Sequence, residues 1–236
     1  MIRKTILEAK TISESFYRLV AAALDNGRRS VVQHGSTGCV DKIRCQFDYA
    51  LVHIEYPDPS TALPDVLSSF GLPNPVSFDY WETNYKRYIM TAEMQPNETY
   101  TYGSRMWAGP GLIFPIDQIT HWQTVLFETP DTNQAVIQIA QPSDSLLPDP
   151  PCLRQIKLRI LDGKLHFFIN FRSWDLWGGY PANLQGLAHL QHFMAANLGI
   201  EPGEFVCESA GLHLYMEAGM EEKIYSVVSK MFREGV

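Results

Sequence analysis

Cys152 lies in P-P-C-L (Pro150 to Leu153), and Arg172, Ser173 and Asp175 lie in F-R-S-W-D (Phe171 to Asp175). Between them a D-G-K turn (Asp162 to Lys164) separates two β-rich runs, which predicts a hairpin whose register the turn fixes. Such a hairpin brings a thiol, a guanidinium and a carboxylate to one end of a two-strand unit. A cysteine is a nucleophile only as thiolate, and a nearby fixed cation lowers its pKa and steadies the anion. A lone cysteine would read as a buried structural residue beside an Arg–Asp surface pair; the whole set points to covalent chemistry.

The elements that must position these groups follow from the patterns around them. Ile6, Ile12, Phe16, Leu19, Val20 and Leu24 recur at helical spacing and Asn26-Gly27 supplies a stop, so an amphipathic helix is predicted over about residues 10–25. Arg28 and Arg29 follow in a turn. Residues 42–56 alternate as one long strand, and Pro57, Pro59, Pro64, Pro73 and Pro75 interrupt regular structure after it. Phe78 to Met94 reads as a helix with Tyr85 and Tyr88 close to one face, and Ile116 to Leu126 as another. Residues 134–141 and 153–172 are β-rich. A glycine-rich polar loop then leads into a helix from about Leu184 to Leu198, ended by Gly199, Pro202 and Gly203. One strand is predicted over Phe205 to Tyr215, and a C-terminal helix over Glu221 to Arg233 with Ile224, Val227, Val228 and Met231 on one side.

With 236 residues, 45% hydrophobic, the chain can bury a sizeable core and reads as one domain over 1–236. Charged residues make up 19%, below the usual quarter, which fits a surface partly covered by ligand or by a second copy in an obligate homodimer. A net charge of -7 argues against broad nucleic-acid binding, which needs a basic face. In M-I-R-K-T-I-L-E-A-K charges interrupt every apolar run, so the expectation is a cytoplasmic protein with neither signal peptide nor membrane span. Cys39, Cys45, Cys152 and Cys207 form no C-x-x-C pair, so neither a zinc site nor a disulfide framework is expected.

P-P-C-L, D-G-K-L, F-R-S-x-D, G-G-x-P-x-N (Gly178 to Asn183) and H-L-Y (His213 to Tyr215), in this order and spacing, resemble the thymidylate synthase family, especially its shorter archaeal-type branch. The similarity is dense over Tyr102 to Tyr215 and thin over the first hundred residues. The resemblance implies an α/β (α+β) fold, with a large mixed β-sheet, helices on one face and a homodimer through the other. It also implies methylation of dUMP to dTMP at C5 through a covalent Cys152–C6 adduct, with 5,10-methylenetetrahydrofolate as co-substrate and no metal.

By position in the family's motifs, Cys152 is the nucleophile, with Arg172 its cationic partner and a phosphate ligand. Ser173 bonds the phosphate or sugar, and Asp175, beside Gly179, meets the folate pterin, Gly179 lining both ligand sites. Tyr102, in T-Y-G-S-R-M-W, matches the tyrosine beside the reacting carbon and reads otherwise as a core aromatic. Asn183 offers a donor and an acceptor to the O4 and N3–H edge of uracil, where members acting on cytosine nucleotides have aspartate. His213 and Tyr215 match the pair that bonds the 3'-hydroxyl of deoxyribose. The family's water-organising glutamate is assigned to Glu82, with Glu93 and Glu98 competing, and its N-terminal phosphate arginine to Arg28 or Arg29. Trp174 and Trp177 either wall the folate site or pack, and Leu153 replaces the histidine of bacterial members.

The largest departure is at P-D-T-N-Q (Pro130 to Gln134), where Asn133 and Gln134 replace the two arginines that reach the neighbouring subunit's phosphate in bacterial members. Arg154 or Arg105 are candidates to substitute. The closest rival reading is a pyrimidine nucleotide hydroxymethylase using the same folate, in which water replaces hydride in the last step. A non-catalytic nucleotide-binding relative is the third, and it would have no need of the thiol.

Overall fold

The computed structural model describes residues 1–33, 41–63, 74–111, 113–216 and 226–228. Its strands are β1 (Lys4–Thr11), β2 (Arg28–Val31), β3 (Ile43–Gln46), β4 (Tyr49–Tyr56), β5 (Val136–Gln138), β6 (Leu153–Leu161), β7 (Lys164–Phe171), β8 (Trp174–Asp175), β9 (Glu201–Ser209) and β10 (Leu212–Met216). Its helices are α1 (Ile12–Asn26), α2 (Lys86–Met90), α3 (Tyr102–Trp107), α4 (Gln118–Glu128) and α5 (Gly179–Leu198).

The six-stranded sheet runs β1-β4-β9-β7-β6-β5, with β1–β4 and β7–β9 parallel and the other pairs antiparallel. Residues on one face of its strands, among them Val52, Ile54, Phe167, Ile169 and Phe205, are buried on the side where α1 and α5 pack, and Ile156 and Leu158 of β6 are buried as well. Phe167 and Phe205, register partners on β7 and β9, stack with ring centroids 5.7 Å apart. On the other face Leu51, Gln155, Lys157, Phe168, Asn170, Val206 and Glu208 line an open depression of about 230 Å³. A large mixed sheet with helices against one face is the α/β arrangement expected.

Helix α1 begins where Thr11 caps it, its hydroxyl accepting from Glu14 N at 3.1 Å while the Glu14 carboxylate accepts from Lys10 N at 2.8 Å. Ile12, Phe16, Leu19, Val20 and Ala23 form its buried stripe.

Several predicted boundaries change, for one physical reason. The segment 42–56 is not one strand, because at Phe47-Asp48 the chain leaves a second, four-stranded sheet (β2-β3-β10-β8) and enters the large one. Phe205 to Tyr215 divides likewise at Ala210-Gly211 into β9 and β10, and the run after β7 divides at Arg172-Ser173. Phe47 N donates to Leu212 O at 3.0 Å and Trp174 N to Gly211 O at 3.0 Å, so the bends lie side by side. Residues alternate through a bend as they do along a straight strand, so alternation alone does not reveal it. Arg28 and Arg29 open β2 instead of lying in a turn.

The Gly178 to Asn183 run forms the start of α5 instead of a loop before it. Pro181 fits there because the first-turn N–H groups have no intrahelical partner to lose. The predicted helix over Phe78 to Met94 is shorter, with a π-helical turn at Trp81–Tyr85 followed by α2, and Thr91 is extended. The predicted C-terminal helix lies outside the described residues except for 226–228, which are helical.

Candidate active site

The D-G turn carries Asp162 at φ 50° and Gly163 at φ 74°, the left-handed pair that a two-residue hairpin requires. It sets Leu153 opposite Phe171, and Arg172 N extends the ladder by donating to Cys152 O at 2.9 Å. The nucleophile candidate and the guanidinium therefore emerge together at the open end of the hairpin. Arg172 Nη2 donates to Pro150 O at 2.6 Å and its Nε to Pro151 O at 3.1 Å, while Arg154 Nη1 reaches Pro151 O at 3.2 Å. Two prolines offer carbonyls and no N–H, so the segment ahead of Cys152 is suited to being clamped by arginines.

Burial pushes the Cys152 thiol up, opposed first by the Arg172 guanidinium and reinforced by Asp149 and Asp175. A raised pKa means less thiolate at any given pH below it. Alkylation of Cys152 by a small neutral reagent, mapped to its own peptide by mass spectrometry, should therefore still accelerate above about pH 8.5, the ordinary thiol value. A plateau near neutral pH would contradict this electrostatic picture.

A cavity of about 400 Å³ opens beside the hairpin, walled by Tyr80, Tyr85, Tyr88 and Tyr102 and edged by Arg87, Glu98 and Asn183. Tyr85 stacks on Tyr80 at 5.7 Å and on Tyr88 at 5.4 Å, and Tyr88 meets Tyr102 edge-on at 5.1 Å. Leu153 N donates to the Tyr102 hydroxyl at 3.3 Å, which seats that ring beside the residue next to the thiol. Burial raises the Tyr85, Tyr88 and Tyr102 hydroxyls well above the ordinary tyrosine value, and a Cys152 thiolate nearby would raise them further. Half-buried Tyr100 is pushed up to about 12. These hydroxyls are neutral donors at working pH.

Helix α3 holds Tyr102 through a reciprocal capping box between Thr101 and Ser104. The glycine of the Y-G-x-x-W segment has a steric reason: a Cβ on Gly103 would sit 2.0 Å from Thr91 O. Gly103→Ala is expected to cost about 1–3 kcal/mol, seen as a lower thermal midpoint by circular dichroism.

Of the three glutamate candidates only Glu98 reaches this cavity. Its carboxylate takes a forked pair of bonds from Arg87 at 2.6 and 2.9 Å and one from Gln95 N at 2.7 Å, and the Arg87 bonds hold its carboxyl below the usual range. Glu82 lies exposed in a pair with Lys86 at 3.1 Å, and Glu93 is exposed on the following extended segment.

Trp174 Nε1 donates to Asn183 Oδ1 at 2.9 Å, and Asn183 Nδ2 donates to the Tyr85 hydroxyl. Asp175 accepts from Trp177 N at 3.0 Å and Gly178 N at 3.2 Å, just ahead of Gly179 at the start of α5. Asp175 also pairs with His213 across β8 and β10. His213 Nδ1 lies 2.7 Å from Gly211 O; since a carbonyl only accepts, Nδ1 carries the proton. Nε2 is then an acceptor, buried and without a partner among the described residues. Burial lowers the His213 pKa, so the ring is neutral, and Tyr215 packs against it edge-on at 4.7 Å. Ser173 is half-buried between Arg172 and Trp174.

The arginines divide differently from expectation. Arg28 binds Asp48 through two contacts of 2.5 and 2.9 Å, and Arg105 Nη2 binds Asp144 at 2.7 Å in the interior. Arg29 is exposed, as are Asn133 and Gln134 after α4. Arg44 was missed from sequence. It stands opposite Tyr215 in the β3–β10 register, its charge lowers the His213 pKa, and its Nε is buried with no partner among the described residues. Only strand register brings it there, and a strand bend hides that register from the sequence. Tyr85 was noted only as an aromatic on a helical face.

Among the described residues no group of three or more His, Cys, Asp or Glu converges as a metal site, and no helix is long and apolar enough to cross a membrane. The thymidylate synthase family profile matches residues 76–233. A Methanosarcina barkeri protein named "Putative thymidylate synthase" is 30% identical over 214 residues, covering 89% of each chain. A protein of the same name from Methanosarcina acetivorans is 30% identical over 217 residues, again covering 89% of each. One from Methanothermobacter thermautotrophicus is 31% identical over 117 residues, covering 49% of this chain and 51% of its own. The matched stretch contains the thiol hairpin, the tyrosine wall and the Asn183 carboxamide alike, and so the chain belongs to the thymidylate synthase family.

Proposed function

We propose that the protein is a thymidylate synthase, converting dUMP to dTMP with 5,10-methylenetetrahydrofolate. The observation that carries this reading is the joining of thiol and base reader by one tyrosine wall: Tyr102 bonds the residue after Cys152, and Tyr85 bonds Asn183. A pyrimidine ring placed between them would have C6 toward the sulfur and its O4–N3 edge toward the carboxamide. The Cys152 thiolate bonds C6, and the displaced π electrons move toward O4, making C5 nucleophilic. Neutral tyrosine hydroxyls around the ring stabilise the charge on O4 as it forms. After C5 has gained its carbon and lost its proton, and a hydride has reduced that carbon to methyl, expulsion of the Cys152 sulfur from C6 restores the C5–C6 double bond and the thiolate.

The folate supplies the one-carbon unit and the hydride when bound. Asp175, whose oxygens keep further lone pairs after their two backbone bonds, and Trp177, which packs on Phe16 at 5.5 Å, would hold its pterin. His213, with an acceptor nitrogen lacking a partner among the described residues, suits a sugar hydroxyl. Arg172, Ser173 and Arg44 are the cation and hydroxyl candidates for the phosphate in place of Asn133 and Gln134. The second copy of an obligate homodimer would cover the sheet face carrying Leu51, Phe168 and Val206. A light-scattering mass of one chain would remove that part of the reading.

The deciding experiment is mass spectrometry of the nucleotide after incubation with dUMP and methylenetetrahydrofolate. A methylated nucleotide with dihydrofolate supports the reading. A hydroxymethylated nucleotide with tetrahydrofolate would make the protein a hydroxymethylase, and unchanged dUMP would refute both for this substrate.

A further inference from the structure

The Trp174 indole is fixed by packing. It is 2% exposed, stacked on Phe171 with centroids 3.9 Å apart, and tilted against Tyr180 at 4.5 Å. Its one polar group, Nε1–H, donates to Asn183 Oδ1 at 2.9 Å. An indole N–H donates and never accepts, so the amide atom facing it has to be oxygen. The amide nitrogen is thereby turned to the Tyr85 hydroxyl, a group that can donate or accept and would tolerate either orientation. The indole alone sets which end of the amide is which.

We infer that Trp174 is a positioning residue that fixes base specificity by locking the Asn183 amide. The inference rests on the proposed function, in which Asn183 reads the pyrimidine edge. After its two internal bonds the amide keeps one N–H and one oxygen lone pair, in a fixed order. A 4-oxo pyrimidine, with an acceptor at O4 and a donor at N3–H, matches that order. A 4-amino pyrimidine presents the reverse, and would need the amide turned over. An unlocked asparagine can turn and serve both. Here turning sets the amide NH2 against the indole N–H and leaves a buried donor unsatisfied. Tryptophan within R-S-x-D gives no hint of this in the sequence, where its bulk suggests packing or a wall of the folate site.

The test is equilibrium binding of dUMP and dCMP to the full-length protein, to Trp174→Phe, and to protein carrying 3-benzothienylalanine at position 174. That residue keeps the indole's shape with sulfur in place of N–H, so it decides the question if the phenylalanine variant does not fold. The native protein should prefer dUMP, and loss of the N–H should cut the preference by about tenfold or more, chiefly by improving dCMP binding. Tyr85→Phe should weaken both nucleotides together and leave their ratio. An isostere that keeps the native ratio overturns the lock and leaves the reading of Asn183 intact. A Tyr85→Phe ratio that falls as far as the isostere's also overturns it. A native protein indifferent to the base overturns that reading itself, and the lock with it.

Discussion

Cys152→Ser is expected to lower turnover by about four orders of magnitude or more while nucleotide binding is retained. Serine has nearly the same shape, so the cavity survives. Its hydroxyl, however, ionises far less readily than a thiol, and the Tyr102 hydroxyl on this wall, kept protonated by burial, offers no base to take its proton. No other described cysteine substitutes: Cys45 and Cys207 are fully buried, and burial pushes both thiols up. Single-turnover assays paired with a binding titration separate the two effects. Retained turnover would mean that the covalent step does not run through the hairpin thiol.

The largest stability effect is expected at Asp144→Ala. Asp144 is 1% exposed and Arg105 12%, and the carboxylate accepts from Arg105 Nη2 at 2.7 Å and from Gln141 N at 2.8 Å. Arg105 Nη1 is already buried with no partner in the described structure, so losing the carboxylate strands a whole guanidinium in the interior. Removing one member of such a pair costs about 3–5 kcal/mol, roughly a 10 °C fall in Tm for a chain of this size. Because Arg105 sits on α3 with Tyr102, the loss should also loosen the wall beside the thiol. Arg105→Met combined with Asp144→Leu removes both charges and should recover most of the loss. A double variant as unstable as the single one would show that packing, not the stranded charge, is responsible.

The burial that makes Arg105 costly to strand also removes it as a stand-in for the arginines absent at Asn133 and Gln134. The sequence offers Arg105 and Arg28 as cations without showing that Asp144 and Asp48 already hold them. What could be read from sequence was governed by local chemistry. The Asp162-Gly163 turn admits one register, so the meeting of Cys152 and Arg172 followed from a dipeptide. Helix α1 followed from its cap and its stripe. Glu98 could not be singled out from Glu82 and Glu93 this way, because the Arg87 fork that carries its carboxylate to the cavity depends on how the segment after α2 folds back. Strand bends hid Arg44, and the donor-only nature of one indole hid the part that Trp174 plays.

The position of β9 has a consequence for synthesis. It pairs with β4 on one side and β7 on the other, yet it follows both in the chain. While residues 201–209 are still within the ribosome, β4 and β7 each present an unpaired edge to solvent, and nothing else among the described strands fills the gap. The sheet closes only when this late strand slides between two halves already made. That ordering makes closure a slow, long-range event, and it makes a nascent chain stopped before Glu201 a template for joining other chains edge to edge.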